Sequence, residues 1–166
     1  MTEQEVVTFK PSEEFVFVAN KVFTEQKEKI LELLPFAEVY HIGGTVIPGL
    51  ITKGDLDINV RITEKDFNSA VEVLKQMYEI NQLHNWTNTY ASFKDDTNLE
   101  IDFGAQLTVI DSPDDYFLEQ RDMLLKNPEL IKKLNLLKLK YEGKPMDEYR
   151  NEKNKFFEKM MTKNLQ

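Results

Sequence analysis

Apolar residues recur at helical spacing from Phe15 through Val18, Ala19, Val22 and Phe23 to Ile30, Leu33 and Leu34. Ser12, just after Pro11, reads as the N-cap of this helix, and Pro35 ends it. Residues 37–42 read as a strand that stops at Gly43-Gly44, followed by a turn over 46–49 around Pro48. Over 55–62 polar and apolar residues alternate. Asp55, Asp57 and Asn59 fall on one face and Leu56, Ile58 and Val60 on the other, the pattern of a half-buried strand. Thr63, with Asp66 three residues on, opens a helix whose apolar stripe is Phe67, Ala70, Val71, Leu74 and Met77. Residues 86–93 and 97–103 read as two antiparallel strands with Asp95-Asp96 as their turn, and 107–110 as a further short strand. On the second of these, Leu99, Ile101 and Phe103 face one way and Glu100 and Asp102 the other.

After Pro113 the pattern becomes helical to the end. One helix carries Phe117, Leu118, Met123, Leu124 and Leu125. Pro128 starts the next, with Leu130, Ile131, Leu134, Leu137 and Tyr141 as its stripe. Gly143 and Pro145 break it before a last helix carrying Tyr149, Phe156, Phe157, Met160 and Met161. The predicted class is α+β: a small mixed sheet flanked by helices, with a C-terminal helical segment. The 166 residues show no repeat or linker, so a single domain over 1–166 is expected.

Composition narrows the chemistry. The chain has no cysteine, which excludes a disulfide scaffold, a thiolate metal site and a cysteine nucleophile. A net charge of −8 argues against a general nucleic-acid binder. That total is unevenly spread: residues 121–166 hold 12 basic and 7 acidic side chains, residues 1–120 hold 9 and 22. A Lys-rich solvated helical tail explains much of the split. An acidic metal-binding half facing a basic, anion-binding half explains it more sharply. No leader-like segment and no apolar run of ~20 residues is visible, so a cytoplasmic, non-membrane protein is expected.

Three short stretches carry candidate chemistry. The Ile42-Gly43-Gly44-Thr45 turn lets backbone N–H groups approach a phosphate closely. Asp55 and Asp57, at i and i+2 on a strand, share a face and repel each other unless a hard cation such as Mg²⁺ intervenes. If the strand bearing Asp102 pairs beside theirs, the three acids meet, and such a set can hold two metals ~3.5–4 Å apart for phosphoryl or nucleotidyl transfer. The bland reading of each acid is a solvated strand face. Lys53, just before the acids, is a candidate phosphate contact or a solvated loop lysine. His41 reads as a packing or hydrogen-bonding residue, and His84 and Trp86 as core-edge residues. Arg121 and Lys138 are candidate anion contacts.

In this order the motifs resemble the signature of the nucleotidyltransferase superfamily: Gly43-Gly44, then Asp55-Leu56-Asp57, then Ile101-Asp102-Phe103. Within it the chain is similar to the GrpB family, whose members carry a stretch like His-Ile-Gly-Ser-Thr-Ser-Val-Pro-Gly-Leu-Ala-Ala-Lys-Pro-Ile-Ile-Asp-Ile. The segment from His41 to Ile58 aligns with it without a gap. Gln120-Arg121-Asp122 with Asn127-Pro128, and Tyr149 with Lys153, resemble later family features. Gly44 stands where the family has serine and Gly54 where it has proline. The family often keeps only the second acid of the pair, with a His-containing strand at the place of Asp102, whereas this chain has all three acids. The resemblance implies a nucleotidyltransferase-like fold. It implies Asp55, Asp57 and Asp102 as metal ligands, with Asp102 a ligand or the proton acceptor, and a two-Mg²⁺ site. Gly43, Gly44, Thr45 and Lys53 would bind the nucleotide. The expected reaction moves a nucleotidyl group from an NTP to a hydroxyl acceptor. The alternatives are a non-catalytic nucleotide- or protein-binding module on the same fold, and an interaction protein whose acids are a solvated face.

Overall fold

Strand β4 (Leu56–Ile62) is the centre of the molecule, and its alternation decides what lies on each side. In the computed structural model, residues 5–164 are described. Leu56, Ile58, Val60 and Ile62 are at most 1% exposed and face two helices, α1 (Val16–Leu33) and α2 (Phe67–Met77). The five-stranded sheet runs β2–β4–β7–β6–β5, with β2 (Glu38–Ile42), β5 (Glu79–Ile80), β6 (Tyr90–Asp95) and β7 (Phe103–Val109). Its pairs are antiparallel except β4 with β7, which is parallel. Burying one face of this sheet against α1 and α2 forms the main core, with Phe93, Phe103, Ala105 and Leu107 from β6 and β7.

The other face is polar. Asp57 and Asn59 on β4, Gly104 and Gln106 on β7, and Ser92 and Lys94 on β6 share it by register. Three helices partly cover this face: α3 (Phe117–Leu125), α4 (Pro128–Tyr141) and α5 (Met146–Asn164). They have their own small core of Leu124, Leu134 and Met160, into which the turn residues Ile47 and Leu50 insert. A two-stranded ribbon, β1 (Lys10–Pro11) with β3 (Ile51–Thr52), bridges the two layers. Among the described residues no helix is long and apolar enough to cross a membrane.

Several expectations change. The strand expected over 86–93 forms over Tyr90–Asp95, after a 3-10 turn over Leu83–Asn85. Residues 97–103 do not form a strand. The Asp95 carboxylate accepts the backbone N–H groups of Thr97 and Asn98 at 3.1 and 2.9 Å, which turns the chain out of the sheet. The strand forms later, over Phe103–Val109, and absorbs the short strand expected over 107–110. The parity survives the shift: Phe103, Ala105 and Leu107 point to the core, and Asp102 and Gly104 keep the opposite side. Ser12 is not a helix cap. Its hydroxyl is buried and donates to the Ile47 carbonyl at 2.7 Å, so it ties a short 3-10 turn to the glycine turn, and α1 starts only at Val16. Thr63 does not cap either: its hydroxyl donates to the Asp66 carboxylate at 2.9 Å and not to a backbone group, and α2 starts only at Phe67 after a 3-10 turn over Glu64–Asp66.

Gly54 leads into β4 at φ +97°, a conformation that proline is barred from and that other L residues rarely adopt. A Cβ there would stand 2.5 Å from the Phe15 ring. Gly54→Ala is therefore expected to lower unfolding free energy by about 2–4 kcal/mol. Gly143→Ala, at φ +76° with no atom within 4 Å of its Cβ, is expected to cost only about 1 kcal/mol. Denaturant unfolding of both variants checks the contrast.

Candidate functional site

The polar sheet face and the helical layer enclose a cleft of about 1220 Å³, larger than the roughly 300–1,000 Å³ of a single small-ligand pocket. The parallel register sets its floor. Asp57 lies opposite Gly104, and Leu56 opposite Phe103, so Asp55 and Asp102 both fall one residue before these pairs. The Leu56 N–H donates to the Asp102 carbonyl at 2.8 Å, which fixes the two chains side by side there.

Asp57 sits between two glycines. A Cβ on Gly43 would meet its Oδ2 at 2.7 Å, and one on Gly104 its Oδ1 at 2.8 Å. The carboxylate occupies the space that two missing side chains leave. Burial, and then the neighbouring Asp55 charge, push its pKa up to about 6. Lys53 answers Asp55, with Nζ 3.4 Å from Oδ2. Asp102 is exposed at the rim; partial desolvation of its carboxyl group and then the charges of Asp96 and Asp55 raise its pKa.

The opposite wall is cationic. Lys138 of α4 is only 5% exposed, and its ammonium donates to the Ile51 carbonyl at 2.7 Å. Desolvation, then repulsion from Lys153 and Lys53, push its pKa down to about 7. Lys153 of α5 is likewise lowered, by desolvation and then by Lys53. Asp57 and Asp55 act in the opposite sense on both lysines. Lys138 and Lys153 thus face two aspartates across the cleft, with Lys53 beside Asp55, and the lysines repel one another. The Tyr149 hydroxyl stands close enough for Asp55 to raise its pKa further, after burial.

The sequence-predicted residues divide as follows. Asp55, Asp57, Asp102, Gly43, Gly44 and Lys53 all line the one cleft. The expected three-carboxylate cluster is not formed: among the described residues no group of three or more His, Asp or Glu is placed to hold a metal ion. Thr45 is turned away from the cleft. Its buried hydroxyl meets His41 Nε2 at 2.8 Å and donates to the Asp55 carbonyl at 3.1 Å, so it holds the acidic strand's start instead of presenting a phosphate ligand. His41 is a packing residue, stacked on Phe23 at 5.4 Å, with burial and Arg121 pushing its pKa down to about 4. Trp86 packs on Phe93 at 5.2 Å, and His84 is exposed. Arg121 lines the cleft but donates to the His41 carbonyl at 3.3 Å and pairs with Asp122.

Lys153 and Gly104 were not singled out for the site. Lys153 had a legible signal, because it falls four residues from both Tyr149 and Phe157 in an apolar stripe, where a lysine is out of place. Gly104 had none, because its value lies only in what stands across the strand.

A family model described as GrpB protein matches residues 19–163. A UPF0157 protein of Vibrio cholerae is 31% identical over 153 residues, covering 92% of this chain and 81% of that one. The crystal structure of conserved protein GrpB from Enterococcus faecalis superposes with a TM-score of 0.70 at 17% identity, over 90% of this chain and 96% of that chain. The MgGTP-bound Cid1 poly(U) polymerase superposes at 0.54 and 13% identity, over 78% of this chain and 42% of the polymerase. The fold is thus nucleotidyltransferase-like.

Because the folded-state pKa of Asp57 lies above its ordinary 3.8, the charged form opposes folding. That penalty is full above about pH 6 and absent below pH 3.8. Asp57→Asn is therefore expected to stabilise the free protein by roughly 1–2 kcal/mol at neutral pH. Urea unfolding should show the gain shrinking to nothing in strong acid.

Proposed function

The chain belongs to the GrpB family, and on that premise we propose that it is a metal-dependent nucleotidyltransferase. The observation that carries this reading is the pair Asp55 and Asp57, with Lys53 beside Asp55 and Lys138 and Lys153 across a cleft in this fold. Two carboxylates suffice for Mg²⁺, which takes one or two from protein and completes its shell with water and substrate phosphates. The donor set therefore fits, with Asp55 and Asp57 as the residues that would hold the ion. When bound, the ion supplies charge neutralisation for a triphosphate and for its transfer.

The chain's own residues do the rest. The Gly43-Gly44 turn offers backbone N–H groups at close approach. Lys53, Lys138 and Lys153 are mutually repelling cations that an anion would reconcile, which suits a triphosphate. A hydroxyl oxygen of the acceptor attacks the α-phosphorus. A new P–O bond forms, the bond to the bridging oxygen between the α- and β-phosphates breaks, and pyrophosphate leaves with that electron pair. Asp102 takes the hydroxyl proton, a role suited to a carboxylate whose affinity for protons is raised. Lys53 must release Asp55 as the ligands enter.

One observation favours the second reading, a nucleotide-binding module without turnover: among the described residues Asp55, Asp57 and Asp102 do not form a three-carboxylate metal group. Calorimetric titration of Mg²⁺ with a non-hydrolysable NTP separates both readings from neither. Wild-type protein is expected to bind in a metal-dependent way, and Asp57→Asn to lose at least about tenfold. Equal, metal-independent affinities would sink the metal site. Turnover of labelled NTP, lost in Asp102→Asn with nucleotide affinity kept, separates enzyme from module.

The pH dependence has a stated sign. Protonation of Asp57 below about 6 competes with the metal, and deprotonation of Lys138 above about 7 removes a phosphate contact. Affinity for the metal–nucleotide complex is expected to peak between them, and calorimetry from pH 5 to 9 checks it.

A further inference from the structure

Beyond the acids the cleft continues over the sheet, and its chemistry changes. Register places side chains on this face in rows across the strands. The row through Asp57 and Gly104 is the acidic one. The next, two residues on and therefore roughly 7 Å away, holds Gln106 of β7 beside Asn59. The Tyr90 hydroxyl donates to Gln106 Oε1 at 2.6 Å, which fixes the amide's orientation. That leaves Nε2 with no protein acceptor among the described residues. It lies 3.8 Å from where a Cβ on Gly104 would stand, so it faces the floor beside Asp57.

Above this row an aromatic series lines the cleft. The Tyr90 ring stacks with Phe117 at 6.3 Å, and Phe117 with Tyr116 at 4.5 Å, with Tyr116 36% exposed. The cations near this side are both paired: Lys94 with Asp96 at 3.6 Å, and Arg121, 5.7 Å over the Tyr40 ring at the far end of the Gln106 row, with Asp122 at 3.0 Å. The cleft is therefore divided: lysines gather opposite the aspartates, while the β6–β7 side offers an oriented amide donor and flat apolar rings.

We propose that the β6–β7 side of the cleft is the acceptor subsite, and that it takes a neutral polyhydroxylated ring of the sugar class. This rests on the nucleotidyl-transfer reading. The ring's C–H face lies on the aromatic series, as apolar faces do on aromatic side chains. A ring oxygen or hydroxyl accepts from Gln106 Nε2, and a hydroxyl one ring-width away reaches the acidic row. A nucleic-acid end is the poorer fit, because it needs a basic track along its backbone, and here Lys94 and Arg121 are each already paired with an aspartate.

The test uses the full chain and ligand-observed saturation-transfer NMR, with methyl glucopyranoside, methyl galactopyranoside and a hexauridylate as probes. At least one glycoside is expected to bind wild-type protein through its ring protons, undisplaced by the oligonucleotide. Gln106→Glu keeps an acceptor for Tyr90 but removes the donor, and Tyr116→Ala removes an exposed ring. Each is expected to weaken the glycoside about fivefold. Failure of both glycosides to bind, binding of the oligonucleotide in their place, or equal glycoside binding by the Gln106 and Tyr116 variants overturns the inference. Mg²⁺–NTP titration of the same samples keeps the two readings apart. Nucleotide binding without glycoside binding overturns the subsite alone. Glycoside binding without nucleotide binding keeps the sugar site but overturns its role as acceptor subsite, along with nucleotidyl transfer.

Discussion

Two carboxylates on one strand face, one of them enclosed, cannot both stay charged without a compensating cation nearby. Most of the cleft follows from that constraint. Asp57 fits only because Gly43 and Gly104 carry no Cβ to fill its space. Asp55 leans on Lys53. Lys138 and Lys153 come from helices remote in sequence and are held in surroundings that disfavour their charge. Asp57, Lys138 and Lys153 are each desolvated, and the two signs of charge share one cleft. Perturbed groups that gather in a cleft are the usual physical mark of function.

The fold supplies this arrangement at a cost in stability. An all-apolar interior would be more stable than one with a lysine that is 5% exposed. The hydrophobic work is done elsewhere, on the sheet's other face against α1 and α2 and in the small helical core. Between them the sheet's polar face is left free for chemistry. The ribbon of β1 with β3 and the buried Ser12 hydroxyl tie the glycine turn to both layers, so the turn is held from two sides.

Departures from the family stretch fall where backbone geometry is particular. At Gly44 a Cβ would stand 2.6 Å from the Thr52 hydroxyl oxygen, so even a serine would require Thr52 to move. At Gly54 the positive φ is closed to proline. These two positions have adjusted the approach to β4 while leaving the acidic face in register.

The sequence by itself determined the two periodicities. Alternation over 55–62 gave β4 and the shared face of Asp55 and Asp57, because a strand's side chains must point in opposite directions at successive residues. Helical stripes and the prolines 35, 113 and 128 gave the helices nearly to their ends. The order of motifs gave the family. Hydrogen bonding defeated the reading at 97–103, where the Asp95 carboxylate turned the chain locally, and at Ser12, whose hydroxyl took a partner 35 positions away. Only the tertiary structure decided that Asp102 stays at the rim, that Thr45 turns inward, and that Gly104 makes room for Asp57. It also decided that lysines from α4 and α5 face the acids. Apart from Thr45, whose partners His41 and Asp55 lie within ten positions, those facts depend on contacts between residues about 50 to 100 positions apart, and sequence periodicity carries information only along the chain.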